Sequence, residues 1–131
     1  MPFAIALSVI LLALAIFQLA LAFGAPLGRF AWGGQHRVLP VRLRIGSAIA
    51  IVIYAVIVLI AFDRVGAIDV LPDVFAVVAM WVVFAYFALG IVMNAVSRSK
   101  PERYVMVPVT IVLTVLSFFI AMGYGAAATA V

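Results

Sequence analysis

Charged residues punctuate this chain at only a few places, and between them apolar positions run on without interruption. Four stretches contain no Asp, Glu, Lys or Arg: residues 1–28, 45–62, 74–97 and 104–131. Each meets the length of about 18 or more apolar residues that a membrane-spanning helix requires. A transmembrane β-strand would instead show about 10 residues of alternating polarity. Runs such as IAIVIYAVIVLIAF have no such alternation. The pattern predicts an all-α membrane protein, a four-transmembrane-helix up-down bundle forming one integral membrane domain over residues 1–131. The expected spans are 3–23, 45–62, 74–95 and 105–123.

Breakers separate the spans: GAPLG after the first, DRVG and LPD around the second connection, and SRSKPER before the fourth. Short connections make consecutive helices antiparallel neighbours. The first span could be confused with a secretory signal. It lacks a basic leading region, and its apolar run exceeds the usual 7 to 15 residues. It reads as an anchor that also joins the bundle, with cleavage near LAFGA as the alternative.

Composition agrees. The chain is 70% hydrophobic and 9% charged, against roughly 25% charged residues in a typical soluble domain. So little charge cannot cover a water-facing surface, and the bilayer must be the solvent.

The placement of charge adds orientation. The first loop carries Arg29, Arg37, Arg42 and Arg44, and the third carries Arg98, Lys100 and Arg103 beside Glu102. The second loop sets Arg64 against Asp63, Asp69 and Asp73. By the positive-inside rule, loops 24–44 and 96–104 are expected in the cytoplasm and both termini outside. The expected location is the bacterial cytoplasmic (inner) membrane, as a multi-pass protein. The formal charge of +4 does not imply nucleic acid, because these residues flank helix ends where they set topology and meet anionic headgroups. Membrane lipids are the expected partners, together with a second copy of the chain or another membrane protein.

Several chemistries are excluded by missing residues. There is no cysteine for disulfide exchange, and the single histidine, His36, cannot supply paired haem ligands. No Asp, Glu, Lys, Arg or His falls inside an expected span, where a proton-coupled pump would want one. No cofactor or metal site is expected, and the chain reads as non-enzymatic.

Two groups of polar residues remain. Gln18, Tyr54, Tyr86, Thr110 and Thr114 lie within the spans, and a polar side chain in hydrocarbon turns inward to find a partner. They predict an inward polar seam, either hydrogen-bonded glue between helices or the wall of a pocket. Loops one and three share a compartment and offer Trp32, His36, Arg37, Asn94, Arg98, Glu102 and Arg103 as a candidate headgroup site. A histidine with a carboxylate suggests acid–base chemistry, but no nucleophile motif or metal accompanies it. The plainer reading is an interfacial turn, with Trp32 in the headgroups and Gly33 and Gly34 permitting the bend. Ser99 and Glu102 have capping-box spacing for the fourth helix, and Pro108 is expected in its first turn. Gly46 and Ala50 have small-xxx-small spacing for close helix approach, and Ala6, Ala13 and Ala20 form a small-residue line on the first span.

WGGQHRVLP followed by NAVSRSKPER resembles small uncharacterised four-helix membrane proteins of bacteria. The resemblance implies the fold and no particular activity. The expected role is a non-enzymatic packing or accessory membrane protein that binds lipid or a hydrophobic ligand. The alternative is a small oligomeric channel or uniporter for a neutral or hydrophobic solute.

Overall fold

The computed structural model describes residues 2–123; Met1 and the expected outward C-terminal stretch 124–131 lie outside the described residues. Four long helices dominate: α1 (Pro2–Ala22), α2 (Val41–Arg64), α3 (Asp73–Ala95) and α4 (Lys100–Ala121). All four are long and apolar enough to cross a membrane. Two short 3-10 turns, Gly28–Phe30 and Trp32–Gly34, fold the first connection. Among the described residues there is no strand.

The helices form an up-down ring in which α1 packs on α2 and α4, and α3 packs on α4 and α2. Two of them extend further than hydrophobicity predicts. α2 begins at Val41 rather than Ile45, because Pro40 supplies an extended residue before it (φ −65°, ψ 163°). α4 begins at Lys100 rather than Val105, because Ser99 caps it and Pro101 suits its first turn. Pro108 consequently lies inside the helix rather than in its first turn.

Each helix buries one stripe at heptad-like spacing. α1 turns in Ala4, Leu7, Leu11 and Leu21, and α3 turns in Ala76, Met80, Val83 and Phe87. The Ala6–Ala13–Ala20 line of α1 is therefore not its most buried face. Leu21 belongs to a second cluster with Ala31 and Leu39, whereas Ala4, Leu7, Leu11, Met80, Val83 and Phe87 form the main core with Ile57, Ala61, Val65, Leu113 and Ile120, weighted toward the half of the bundle nearest the second loop. Stacked Phe3 and Phe119 rings, 5.3 Å apart, extend that half. Toward the first and third loops polar residues join the stripes beside the second apolar cluster: Gln18 on α1, Ser47 on α2, Asn94 on α3, and Glu102 and Thr110 on α4, with Tyr54 at the middle of α2. That change of character positions the site.

Arginines close two helix ends. Arg44 Nε donates to the Ala22 carbonyl at 2.8 Å, and Arg64 Nη2 donates to the Ala121 carbonyl at 3.0 Å. Both acceptors are last-turn carbonyls without an intrahelical donor, at the negative end of a helix dipole. Asp63 does the converse for the second loop. Its carboxylate accepts the Val70 and Leu71 N–H groups at 2.8 Å each.

Candidate functional site

The first loop is folded by a run of left-handed backbone. Trp32, Gly33 and Gly34 have φ of 53°, 78° and 70°, a conformation that costs a residue with a Cβ about 1–2 kcal/mol. Trp32 tolerates it because its ring is seated. The indole N–H donates to Ser47 Oγ at 3.2 Å, and the six-membered ring lies over Gly46, where a Cβ would stand 2.9 Å from two ring carbons. Gly46 is thus the floor beneath Trp32 rather than a helix-crossing contact.

The first and third loops meet. Ser99 Oγ donates to the Arg29 carbonyl, and Gly34 lies so close to Ser99 that a Cβ there would stand 2.6 Å from the same hydroxyl. Gly28 N–H donates to the Arg37 carbonyl at 2.9 Å, drawing the two arms of the first loop together. The turn therefore closes over the start of α4.

Beneath this closure is a cavity of about 370 Å³. Its wall includes Gln18, Tyr54, Tyr86 and Thr110 from the expected seam, and Trp32, Asn94 and Glu102 from the expected headgroup site. Members of both groups thus line one cavity. Thr114 stands apart: it is buried, and its hydroxyl donates to the Thr110 carbonyl of its own helix at 2.7 Å. His36, Arg37, Arg98 and Arg103 are not in the wall. Arg37 and Arg98 are exposed, and Arg103 donates to the Ser97 carbonyl at 2.6 Å. His36 and Glu102 therefore do not face each other across the cavity.

Glue and pocket coexist in the seam. Asn94 Nδ2 bridges α3 to α4, donating to Gly90 O at 2.9 Å and to Thr110 Oγ1 at 3.0 Å. Gln18 Oε1, by contrast, is buried with no hydrogen-bond partner among the described residues.

Glu102 combines two expected roles, as a member of the headgroup site and as half of a capping box. It is only 6% exposed, and the capping box of which it was to be half is only half made. Ser99 Oγ accepts the Glu102 N–H at 3.4 Å, but the Ser99 N–H donates to Ser97 Oγ at 3.2 Å rather than to the Glu102 carboxylate. Ser97 has taken the carboxylate's place. Among the described residues the Glu102 side chain makes no hydrogen bond and no ion pair, and Glu102 borders the cavity. The spacing contains a signal for this placement. Glu102, Met106, Val109 and Leu113 stand at i, i+4, i+7 and i+11 on the inward stripe of α4, and all four line the cavity.

Unforeseen were Phe30, Met106 and Gly90 in the wall, and Ser47 as the acceptor for Trp32. Gly90 admits Thr110, since a Cβ there would come within 3.1 Å of Thr110 Cγ2. Among the described residues no group of three His, Cys, Asp or Glu side chains could hold a metal ion. No protein-family model matches the chain, and no curated protein or solved structure is detectably similar to it.

Proposed function

We propose that this chain is a non-enzymatic ligand-binding protein of the bacterial inner membrane, whose cavity between the four helices takes a lipid or another hydrophobic molecule. One observation carries the reading: a cavity of about 370 Å³, mostly apolar with a few convergent polar groups, has the character of a small-molecule site. The loops above it supply arginines for headgroup phosphates, in keeping with an orientation that puts the first and third loops in the cytoplasm. Past Tyr54 and Thr110 the bundle is filled by Leu7, Leu11, Met80, Val83 and Leu113.

That packing weighs against the alternative of a channel or uniporter for a neutral solute, which needs a route through the same core. Binding is the reading retained.

Native mass spectrometry of the gently extracted full-length protein tests it. The expected spectrum has one retained lipid or hydrophobic molecule per chain, lost when Gly90→Leu and Met106→Trp fill the cavity. A bare chain at every activation energy would refute the reading.

A further inference from the structure

Building on the proposed pocket, we infer that its ligand is a hydrophobic cation, an ammonium-type charge carried on an apolar body, held by the Glu102 carboxylate and surrounding aromatic rings. Three observations converge on that chemistry.

The first is the carboxylate itself. Glu102 is more than nine-tenths buried, borders the cavity, and has no ion-pair partner among the described residues. A carboxyl group in so sheltered a place, with no partner from the protein, offers an acceptor that an entering cation can pair with. The local fold actively produces this state, because Ser97 Oγ occupies the Ser99 N–H that a capping glutamate ordinarily takes.

The second is where the nearby cations go. The first and third loops carry seven basic residues, ample to neutralise one carboxylate, yet those with assigned contacts turn elsewhere. Arg103 donates to the Ser97 carbonyl, Arg44 donates to the Ala22 carbonyl, and the Arg29 guanidinium stands 4.8 Å over the Phe30 ring. The protein's own positive charge is kept out of the cavity, leaving the place for a positive charge from outside.

The third is the rest of the wall. Trp32, Tyr54, Tyr86 and Phe87 line the same cavity with aromatic rings. Aromatic faces attract cations, quaternary ammonium groups included, and the attraction is larger where water is scarce. A neutral or anionic lipid group would gain nothing from Glu102, and an anion would be repelled by it.

An ammonium of this kind has two sources: the headgroup of an amine-bearing lipid, or a free amphipathic amine. Both share the recognised chemistry, and experiment separates them. The full-length protein is placed in nanodiscs of phosphatidylglycerol alone, and binding of benzyltrimethylammonium is measured by titration calorimetry. Neopentylbenzene, the carbon isostere without the charge, is the control. The expected result is saturable binding of the cation, tighter than that of its isostere. It weakens by about tenfold or more in Glu102→Gln, the order expected when one partner of a desolvated charge pair is removed. Neopentylbenzene binding is unchanged by that substitution.

Tyr86→Leu, on a half-exposed wall position, gives a second reading that does not depend on Glu102→Gln folding well. It should weaken the cation more than the isostere. Repeating the titration with phosphatidylethanolamine in the disc assigns the source. A reduced apparent affinity for the added cation indicates that the lipid ammonium already occupies the site, and an unchanged affinity indicates a free amine.

Cation binding no tighter than that of neopentylbenzene, or equal in wild type and Glu102→Gln, overturns the inference. If neopentylbenzene still binds saturably, the pocket survives without its charge preference. If neither compound binds and no lipid is retained, the pocket reading fails as well.

Discussion

The indole of Trp32 and the hydroxyl of Ser47 are joined at 3.2 Å, so the first loop is latched to the first turns of α2 directly above the cavity. The latch works only because Gly46 has no side chain. In a Trp81→Phe background, which leaves Trp32 as the sole indole, Gly46→Val is expected to expel the ring. Its emission should shift to longer wavelength and its quenching by acrylamide should rise. Ser47→Ala removes only the hydrogen bond, about 1 kcal/mol, and should give a smaller shift in the same direction. Identical spectra for Gly46→Val and the parent would contradict the seating.

Two glycines of the same loop should respond differently to one methyl group. At Gly28 a Cβ would run into the His36 carbonyl and stand 2.9 Å from the Arg37 oxygen, both of them backbone atoms. Gly28→Ala should therefore cost about 2 kcal/mol or more, since neither neighbour can step aside. At Gly33 nothing lies within 4 Å of the added carbon, and only the positive φ of 78° opposes it. Gly33→Ala should cost about 1 kcal/mol. Thermal unfolding of the detergent-solubilised protein ranks them, and the reverse order would be incompatible with this loop geometry.

Arg64 and Arg44 should protect different helix ends. Arg64→Gln removes the guanidinium donor from the Ala121 carbonyl, an interaction with a charged group worth about 2 kcal/mol. Hydrogen exchange in the last turn of α4 should quicken by roughly tenfold or more, with α1 unaffected. Arg44→Gln should do the same at the end of α1 alone. The sites are far apart and share no partner, so the double variant should be additive. Exchange that changes at both ends in either single variant would rule out separate capping.

The Asn94–Thr110 bridge ties α3 to α4 at the cavity wall. Thr110→Val keeps the shape and deletes the acceptor, while Asn94 keeps its bond to the Gly90 carbonyl. The expected loss is small, about 0.6 kcal/mol, as for interhelical hydrogen bonds within membranes generally. Asn94→Leu discards both bonds and should cost more. Equal losses in a denaturant titration would mean that the bridge to α4 carries the whole effect of Asn94.

Hydropathy made the four helices legible, because a run such as residues 45–62 has only one solvent in which it is stable. The helix limits were less so. Val41–Arg44 and Lys100–Tyr104 are helical for reasons of capping and backbone geometry that a count of apolar residues does not register. Nor could hydropathy say which faces meet, since a helix apolar all round shows no distinct inward side. The few polar residues at stripe positions carried that information. Gln18, Tyr54 and Thr110 line the cavity from inward positions, while Tyr86 borders it from a position 47% exposed. Glu102 stood both in the capping box and in the candidate headgroup site; it lines the cavity, and the carboxylate half of the box is missing because Ser97, two residues before the cap, takes the Ser99 N–H. Gly46 looked like a helix-packing glycine for a similar reason: its neighbour, Trp32, comes from a loop whose path no local pattern describes.

Arg44 and Arg64 also fix a length. From residue 44 to residue 64, at about 1.5 Å per residue, α2 holds these two guanidinium-bearing positions, the ones that cap neighbouring helices, about 30 Å apart, close to the hydrocarbon thickness of a typical bilayer. Long basic side chains usually let a helix adapt to a thinner or thicker membrane by sliding their charged heads toward water. These two are tied to the carbonyls of neighbouring helices and have given up that freedom. The bundle behaves as a rod with anchored ends, and a bilayer of different thickness must adjust to the protein, by stretching or thinning around it, or the whole bundle must tilt.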